Sequence, residues 1–337
     1  MKKAEILVIF SGGTLVMEEN EKGALETPPK ERAIKTLLNM EPRLKRIANL
    51  TVHYLDNIDS TNMEPKHWNA MTEVLAGKYR KFDGFVITHG TDTMAYTASA
   101  LSYSLQNLGK PVVVTGSQIP GAKIETDARR NFVNAVSVAS MNVAGVMVVF
   151  DEEVIMGSRA SKVSESKLNA FETINWDLLG EIRIDIRLSD EAKKRHGGAL
   201  KPKPGFEGNI AVITLVPGTP VEMLMGLLEN GVKGLVLRGY GSGNVAYKYL
   251  PAIERANDLQ VPVVVSTQCL EGATAMHLYD VGKQALDKGV IQAYDMSIES
   301  AVVKLMWALA HAKSYAEVKK MMHTNYTGEI NKEGKIY

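Results

Sequence analysis

The chain contains a single cysteine, Cys269, in 337 residues. That excludes a disulfide framework and a cysteine-rich metal site within the chain. Net charge is nearly absent: 39 Lys and Arg against 38 Asp and Glu leave +1 at neutral pH. No basic patch argues for nucleic acid, and there is no acidic tail. Long apolar runs are missing too, so no membrane partner is expected. The first apolar run, Ile6–Phe10, is shorter than the core of an export signal and passes directly into Ser11-Gly12-Gly13. It reads as a first strand, and the expected location is the cytoplasm. The histidines are scattered without zinc-ligand spacing, so no metal site is expected. The patterns G-x-x-x-x-G-K-[ST], G-x-S-x-G and H-E-x-x-H do not occur. Gly239-Tyr240-Gly241-Ser242-Gly243 lacks dinucleotide-loop spacing. Nothing signals redox chemistry, and no cofactor is expected.

What is present is α/β alternation, organised around Phe82–Pro120. Phe85-Val86-Ile87 suits a strand buried on both faces. A polar loop follows, Thr88-His89-Gly90-Thr91-Asp92-Thr93, and then a helical face of Met94, Ala98, Leu101 and Leu105. Asn107 and Gly109 end that helix, and Pro111–Val114 opens the next strand. The polar loop thus lies between a strand's carboxyl end and a helix start, where ligands bind in open α/β sheets. One polar residue there is needed as a helix cap. Four around one glycine exceed that need. His89 is compatible with a general base or with a satisfied structural histidine.

In chain order, the sequence predicts strands at Ile6–Phe10 and Val52–Leu55, and helices over Glu31–Met40 and from Pro65 to about Tyr79. A further helix is expected over Asp127–Met141 and a strand over Val146–Phe150. Residues 18–30 read as a mobile loop. Residues 151–171 are less regular. The charge, Gly and Pro of 181–208 suggest a linker. Alternation resumes from Ile210. The fold class expected is α/β, with two doubly wound, mostly parallel-sheet domains joined by a linker. An N-terminal domain of 1–190 carries the site, 191–208 is linker, and 209–337 forms a smaller domain.

Three polar clusters follow strands of the first domain: Gly12-Gly13-Thr14, Asp59-Ser60-Thr61 and Gly90-Thr91-Asp92. Lys162 is a candidate fourth member. Such clusters converge at one sheet edge. Threonine hydroxyls with a lysine and a carboxylate suit acyl transfer, in which a hydroxyl attacks a carbonyl and a lysine relays a proton.

These residues resemble the bacterial-type L-asparaginases, the asparaginase/glutaminase family. The resemblance is carried by Gly84–Met94 in full, and with departures by Ser11-Gly12-Gly13-Thr14-Leu15. It extends through Thr115–Gln118, Arg159–Lys162, Leu237–Gly241, Gly243-Asn244 and Thr267–Cys269, nearly the whole chain. The Ala-Tyr-Thr-Ala-Ser run after the signature resembles the cytoplasmic type I branch. The resemblance implies hydrolysis of L-asparagine to L-aspartate and ammonia without a cofactor. Thr14 would be the nucleophile, and Thr91, Asp92 and Lys162 would handle protons. Gly13, Asp59, Ser60, Thr61, Gly90, Thr91, Asp92 and Ser117 would contact substrate. Ser161, Arg238 and Cys269 match an effector pocket of some cytoplasmic relatives, and Asn244 a cross-subunit contact. A homodimer or dimer of dimers is implied. Ser11 stands for the usual Thr, Asn62 for a common Asp, and Leu15 and Val16 are larger than usual. The mobile loop's tyrosine is replaced by Ala24. Either another phenol, such as Tyr240 or one from a neighbouring subunit, enters the same space, or the enzyme works with Thr91, Asp92 and Lys162 alone and is slow, the favoured expectation. Two other readings share these features: the amidotransferase component that supplies ammonia for tRNA transamidation, which usually has an additional N-terminal domain, and a weakly catalytic amino-acid-binding or sensor protein. The preference between asparagine and glutamine is not encoded in these motifs.

Overall fold

In the computed structural model the chain divides into two units, Met1–Pro204 and Gly205–Tyr337. The structure describes residues 3–331 except 20–22 and 24, so Ala24 lies outside the described residues. Unit 1 alternates strand and helix as β1 (Ala4–Phe10), α1 (Lys30–Asn39), β2 (Ala48–Tyr54), α2 (Pro65–Lys78), β3 (Gly84–Thr88), α3 (Met94–Ser104), β4 (Pro111–Thr115), α4 (Ala128–Ser140) and β5 (Gly145–Phe150). Short strands follow: β6 (Glu153–Met156), β7 (Ala160–Lys162), β8 (Phe171–Thr173), β9 (Gly180–Ile182) and β10 (Ile186–Leu188).

The main sheet runs β10-β9-β6-β5-β4-β3-β1-β2. The stretch from β5 to β2 is parallel, while β6, β9 and β10 add antiparallel strands. The sheet is therefore mixed, and the purely α/β stretch ends at β5. Its strands alternate between two cores. Ile6, Val8 and Phe10 face a layer with Leu37, Phe132 and Val136 of α1 and α4. Leu7 and Ile9 face Met71, Met94 and Leu101 of α2 and α3. That double burial explains the unbroken apolar run of β1. Each fully buried Ile, Leu or Phe contributes roughly 1.5–3 kcal/mol. From β1 the chain crosses to β2 on one side and then to β3 on the other. The reversal opens a crevice between the carboxyl ends of β1 and β3, the usual ligand position in such sheets.

Residues 193–204 run along unit 1. Arg195 donates from Nε to Met141 O at 2.6 Å, from Nη2 to Ala139 O at 2.8 Å and from Nη1 to Asp83 O. Lys201–Pro202 pairs with Leu105–Gln106.

Unit 2 contains β11 (Ile210–Thr214), α5 (Val221–Glu229), β12 (Gly234–Gly239), α6 (Leu250–Asp258), β13 (Val263–Thr267), α7 (Asp280–Asp287), β14 (Ile291–Gln292), α8 (Ile298–His311) and α9 (Tyr315–Met322). Its sheet is wholly parallel, in the order β11-β12-β13-β14. Leu224, Leu228, Ile253 and Ala256 of α5 and α6 cover one face with Leu235, Leu237 and Val265. Helix α8 packs on β12 and β13. It is capped by Ser297, whose side chain accepts from Ser300 N, and is buried from Glu299 to Ala308. Among the described residues no helix is long and apolar enough to cross a membrane.

Candidate active site

The loops after β1, β2 and β3 meet backbone to backbone, and glycines permit it. Gly12 and Gly13 have φ of +108° and +93°, conformations that L side chains rarely adopt. A Cβ on Gly12 would lie 2.2 Å from Ile58 O, and one on Gly13 2.7 Å from Gly90 N. On Gly90 it would meet Ser60 Oγ at 2.6 Å. The three predicted clusters are thus in direct contact. Side chains tie them further: Ser11 Oγ donates to Thr88 O at 2.7 Å, and Thr93 Oγ1 to Ser60 O at 2.7 Å. Ser11 keeps the hydroxyl and uses it as a strut.

Thr14 opens a 3-10 turn, Thr14–Val16, with Leu15 and Val16 buried in the core behind it. The backbone of this turn is approached closely by Gly121, on which a Cβ would lie 2.2 Å from Leu15 O. The Thr14 hydroxyl donates to Ser117 O at 2.5 Å and lies 3.0 Å from Ser117 Oγ. Lys162, at the end of β7, donates from Nζ to Thr91 Oγ1 at 2.8 Å and to Asp92 Oδ1 at 2.7 Å. Its register is set by pairing with Phe171 of β8. Lysine, threonine and aspartate therefore form one assembled group. Among the described residues the Thr14 hydroxyl hydrogen-bonds to Ser117 and not to that group.

Asp59 caps the turn Ser60–Asn62, accepting from Thr61 N at 3.0 Å and Thr61 Oγ1 at 2.9 Å. Asp59 and Thr61 are exposed, whereas Ser60 is buried.

His89 is completely buried. Its Nδ1 contacts Gly90 O at 2.7 Å and its Nε2 contacts Thr97 Oγ1 at 2.8 Å. Trp68 Nε1 donates to the same hydroxyl at 3.0 Å. Donor and acceptor capacities close in one arrangement: Trp68 donates to Thr97, Thr97 to His89 Nε2, and His89 Nδ1–H to Gly90 O. Burial pushes the imidazole down to about 4, against a smaller upward pull from the Gly90 carbonyl. His89 is a neutral strut under the Gly90–Asp92 loop and not a base.

In unit 1, Ser161 is buried on β7. In unit 2, Arg238 Nη2 donates to Gln268 O at 3.2 Å, and Cys269 is exposed with its N–H on Thr267 Oγ1 at 3.0 Å. Asn244 exchanges backbone hydrogen bonds with Tyr240 at 2.8 and 2.9 Å. Its buried Oδ1 has no hydrogen-bond partner among the described residues. Sequence reasoning missed Asp127 and Asn131, which hold the loop around Ser117. Their only signal was an Asp-x-x-x-Asn spacing that puts two polar residues on one face of a helix start. Among the described residues no group of three or more His, Cys, Asp or Glu could hold a metal ion.

The family model for the asparaginase N-terminal domain matches residues 5–194, and that for the glutaminase/asparaginase C-terminal domain matches residues 209–322. The chain is 36% identical to L-asparaginase 1 of Escherichia coli K12, over 98% of this chain and 99% of that protein. It is 37% identical to a glutamyl-tRNA(Gln) amidotransferase component of Pyrococcus abyssi, over 97% of this chain and 76% of that one. Among solved structures, L-asparaginase I of Vibrio cholerae superposes with a TM-score of 0.89 at 36% identity, covering 98% of this chain and all of that one.

Proposed function

The chain belongs to the asparaginase family, amidohydrolases acting on carbon–nitrogen bonds other than peptide bonds, and we propose that it splits L-asparagine into L-aspartate and ammonia with Thr14 as nucleophile. The observation carrying this reading is the Lys162 ammonium within hydrogen-bond reach of both Thr91 and Asp92, beside a loop that presses on the Thr14 loop. Thr14 Oγ1 attacks the side-chain amide carbon and forms a β-aspartyl ester. Ammonia leaves, and water then cleaves the ester. The Ser117 carbonyl is too weak a base to take the hydroxyl proton. Thr14 therefore turns from Ser117 toward Thr91, whose hydroxyl is already tied to Lys162. The Lys162 ammonium first hands a proton to the Asp92 carboxylate. As an amine it then accepts the Thr91 proton while Thr91 takes that of Thr14, and the proton held by this group is returned to the departing nitrogen, which leaves as ammonia. Asp92 is also assigned the substrate's α-ammonium, and Asp59, Ser60 and Thr61 the α-carboxylate side, with Gly13, Gly90 and Ser117 lining the same loops.

The decisive experiment is steady-state ammonia release from free asparagine. Thr14→Ala should abolish it while leaving the fold and substrate binding intact, and Thr14→Ser should keep some turnover. Full turnover in Thr14→Ala would move the nucleophile elsewhere, first to Thr91. The same assay, run without tRNA, addresses ammonia supply for transamidation, a second reading supported by the similarity to the Pyrococcus abyssi amidotransferase component. Release from free asparagine alone would favour the hydrolase. Cytoplasmic location and assembly as a homodimer or homotetramer, with Asn244 at a contact between protomers, complete the reading. Effector binding at Arg238 and Cys269 is part of it as well. It predicts sigmoidal rates that become hyperbolic in Arg238→Ala.

A further inference from the structure

We propose that Asp127 is a positioning residue for the nucleophile, fixing with Asn131 the peptide groups around Ser117 and so the resting place from which the Thr14 hydroxyl turns to Thr91. The proposal rests on the reading of Thr14 as nucleophile. Asp127 stands at the N-cap of α4, where an aspartate ordinarily accepts from its own helix's N–H groups. It makes no such bond. Thr126 Oγ1 takes Ala128 N instead, at 3.1 Å. The Asp127 carboxylate, 4% exposed, points back at the loop after β4. Oδ1 accepts from Ile119 N at 2.9 Å, and Oδ2 from Gln118 N at 3.0 Å and Asn131 Nδ2 at 2.9 Å.

Asn131, fully buried one turn along, extends the brace. Its Nδ2 donates to Gly116 O at 3.0 Å, and its Oδ1 accepts from Asp151 N at 3.1 Å. Thr126 Oγ1 donates to Ile119 O at 2.9 Å. Peptide groups on both sides of Ser117 are therefore held by residues 126–131, leaving the Ser117 carbonyl for Thr14. The brace also reaches the lysine arm: Gln118 Nε2 donates to Glu165 O at 2.9 Å and Lys167 O at 3.2 Å, in the loop after Lys162. A buried carboxylate costs desolvation unless its lone pairs are filled. Here they are filled by two loop amides and the Asn131 side chain and not by the helix's own backbone N–H groups, so the residue serves the loop at the expense of the cap. Displacing a reacting group by about 1 Å costs ~10²-fold in rate.

The two roles separate in Asp127→Ser. Serine supplies an N-cap hydroxyl for α4 but cannot accept from both loop N–H groups. Asp127→Asn keeps the shape and loses one acceptor. The expected result is kcat lowered ~10²-fold in Asp127→Ser and ~10-fold in Asp127→Asn. KM should change less than about threefold, aspartate should still bind by calorimetry, and α4 should keep its thermal stability. Wild-type kcat, within about twofold, in either folded variant would overturn the proposal. So would loss of aspartate binding in step with kcat, which would mean a collapsed site. If Asp127→Ser does not fold, Asp127→Asn decides by the same thresholds. Thr14→Ala is measured alongside. If it still turns over, the nucleophile reading fails and this proposal with it. If it is dead while Asp127→Ser is unaffected, the positioning role alone fails.

Discussion

Two lysine–carboxylate pairs, one in each unit, have nearly equal length and opposite settings. In unit 1, Lys162 Nζ lies 2.7 Å from Asp92 Oδ1, with the lysine side chain 18% exposed and the aspartate 57%. In unit 2, Lys304 Nζ lies 2.6 Å from Glu329 Oε1 with both side chains at 0%. The buried pair is saturated. Lys304 also donates to Thr324 O at 2.7 Å, and the Glu329 carboxylate accepts from Tyr326 N, Thr327 N and Thr327 Oγ1. It pins the tail after α9 onto α8, with neither side chain exposed to a guest. The exposed pair shares its ammonium with a threonine hydroxyl and turns a carboxylate toward solvent, so its protons and partners can change without stranding a charge. Separation alone does not distinguish a latch from a relay. What surrounds the pair does.

The comparison breaks most visibly in unit 2. Lys304→Met removes one charge and leaves the other buried and alone, which typically costs about 3–5 kcal/mol. The expected outcome is a large fall in the unfolding midpoint. Adding Glu329→Gln should restore part of it, because the stranded charge is then gone. Thermal or urea unfolding of both variants reads this. A single variant no less stable than wild type would mean that the pair contributes nothing.

Lys162→Met is the opposite case. Stability should move little, since its partner carboxylate remains in water, while kcat should fall ~10²-fold or more with the proton-transfer group removed. Ammonia release beside a melting curve makes the contrast. A kcat within twofold of wild type would reduce Lys162 to an ordinary surface lysine.

Much of this was legible in the sequence, and what was not has a physical reason. The unbroken apolar run of β1 and the polar loop after β3 announce a doubly wound sheet and its crevice, because local pattern records burial on both faces. The antiparallel strands β6, β9 and β10 are three or four residues long and are held by pairing across the sheet, which leaves no local period. Lys162 and Lys304 look alike in sequence, as burial is decided by distant residues. The role of His89 stayed open for the same reason: Trp68 and Thr97, which satisfy it, lie elsewhere in the chain. Asp127 looked like an ordinary helix start, because nothing local says that its carboxylate turns backward.

Acid should separate the units. Burial holds folded His89 at about 4, against ~6.5 for an unfolded histidine. Between those values the unfolded chain binds the extra proton, so this contribution is complete above about pH 6.5 and shrinks as pH falls toward 4. At pH 5.5 the loss is about 1.4 kcal/mol. In Glu329, burial alone would raise the carboxyl, but the Lys304 ammonium and the donated hydrogen bonds outweigh it and the net shift is downward. Its contribution is complete above ~4.3, the ordinary value, and is lost only as pH falls further through the lowered folded value. Hydrogen-exchange protection should therefore weaken around α2 and α3 near pH 5.5 while α8 is still protected. His89→Gln, which cannot titrate, should flatten that part of the unit 1 profile. Simultaneous loss of protection in both units would assign the acid response to other groups.

The smallest expected effect sharpens the comparison most. Lys288 Nζ lies 2.6 Å from Glu254 Oε1, the same separation as in the Lys304–Glu329 pair, but its side chains are 38% and 54% exposed. Both pairs belong to unit 2, so the unfolding reaction and the probe are the same. If the hydrogen-bond length carried the stability, Lys288→Met and Lys304→Met would cost alike. If burial carries it, Lys288→Met leaves Glu254 in water with only screened attraction lost, and the cost stays below about 1 kcal/mol. That small cost should also shrink in 1 M salt, where the screening length falls to about 3 Å. The Lys304→Met penalty should persist there, because solvent ions do not reach a pair with no exposed surface. Equal penalties in the two variants, or a Lys304→Met penalty removed by salt, would end the distinction between latch and surface pair.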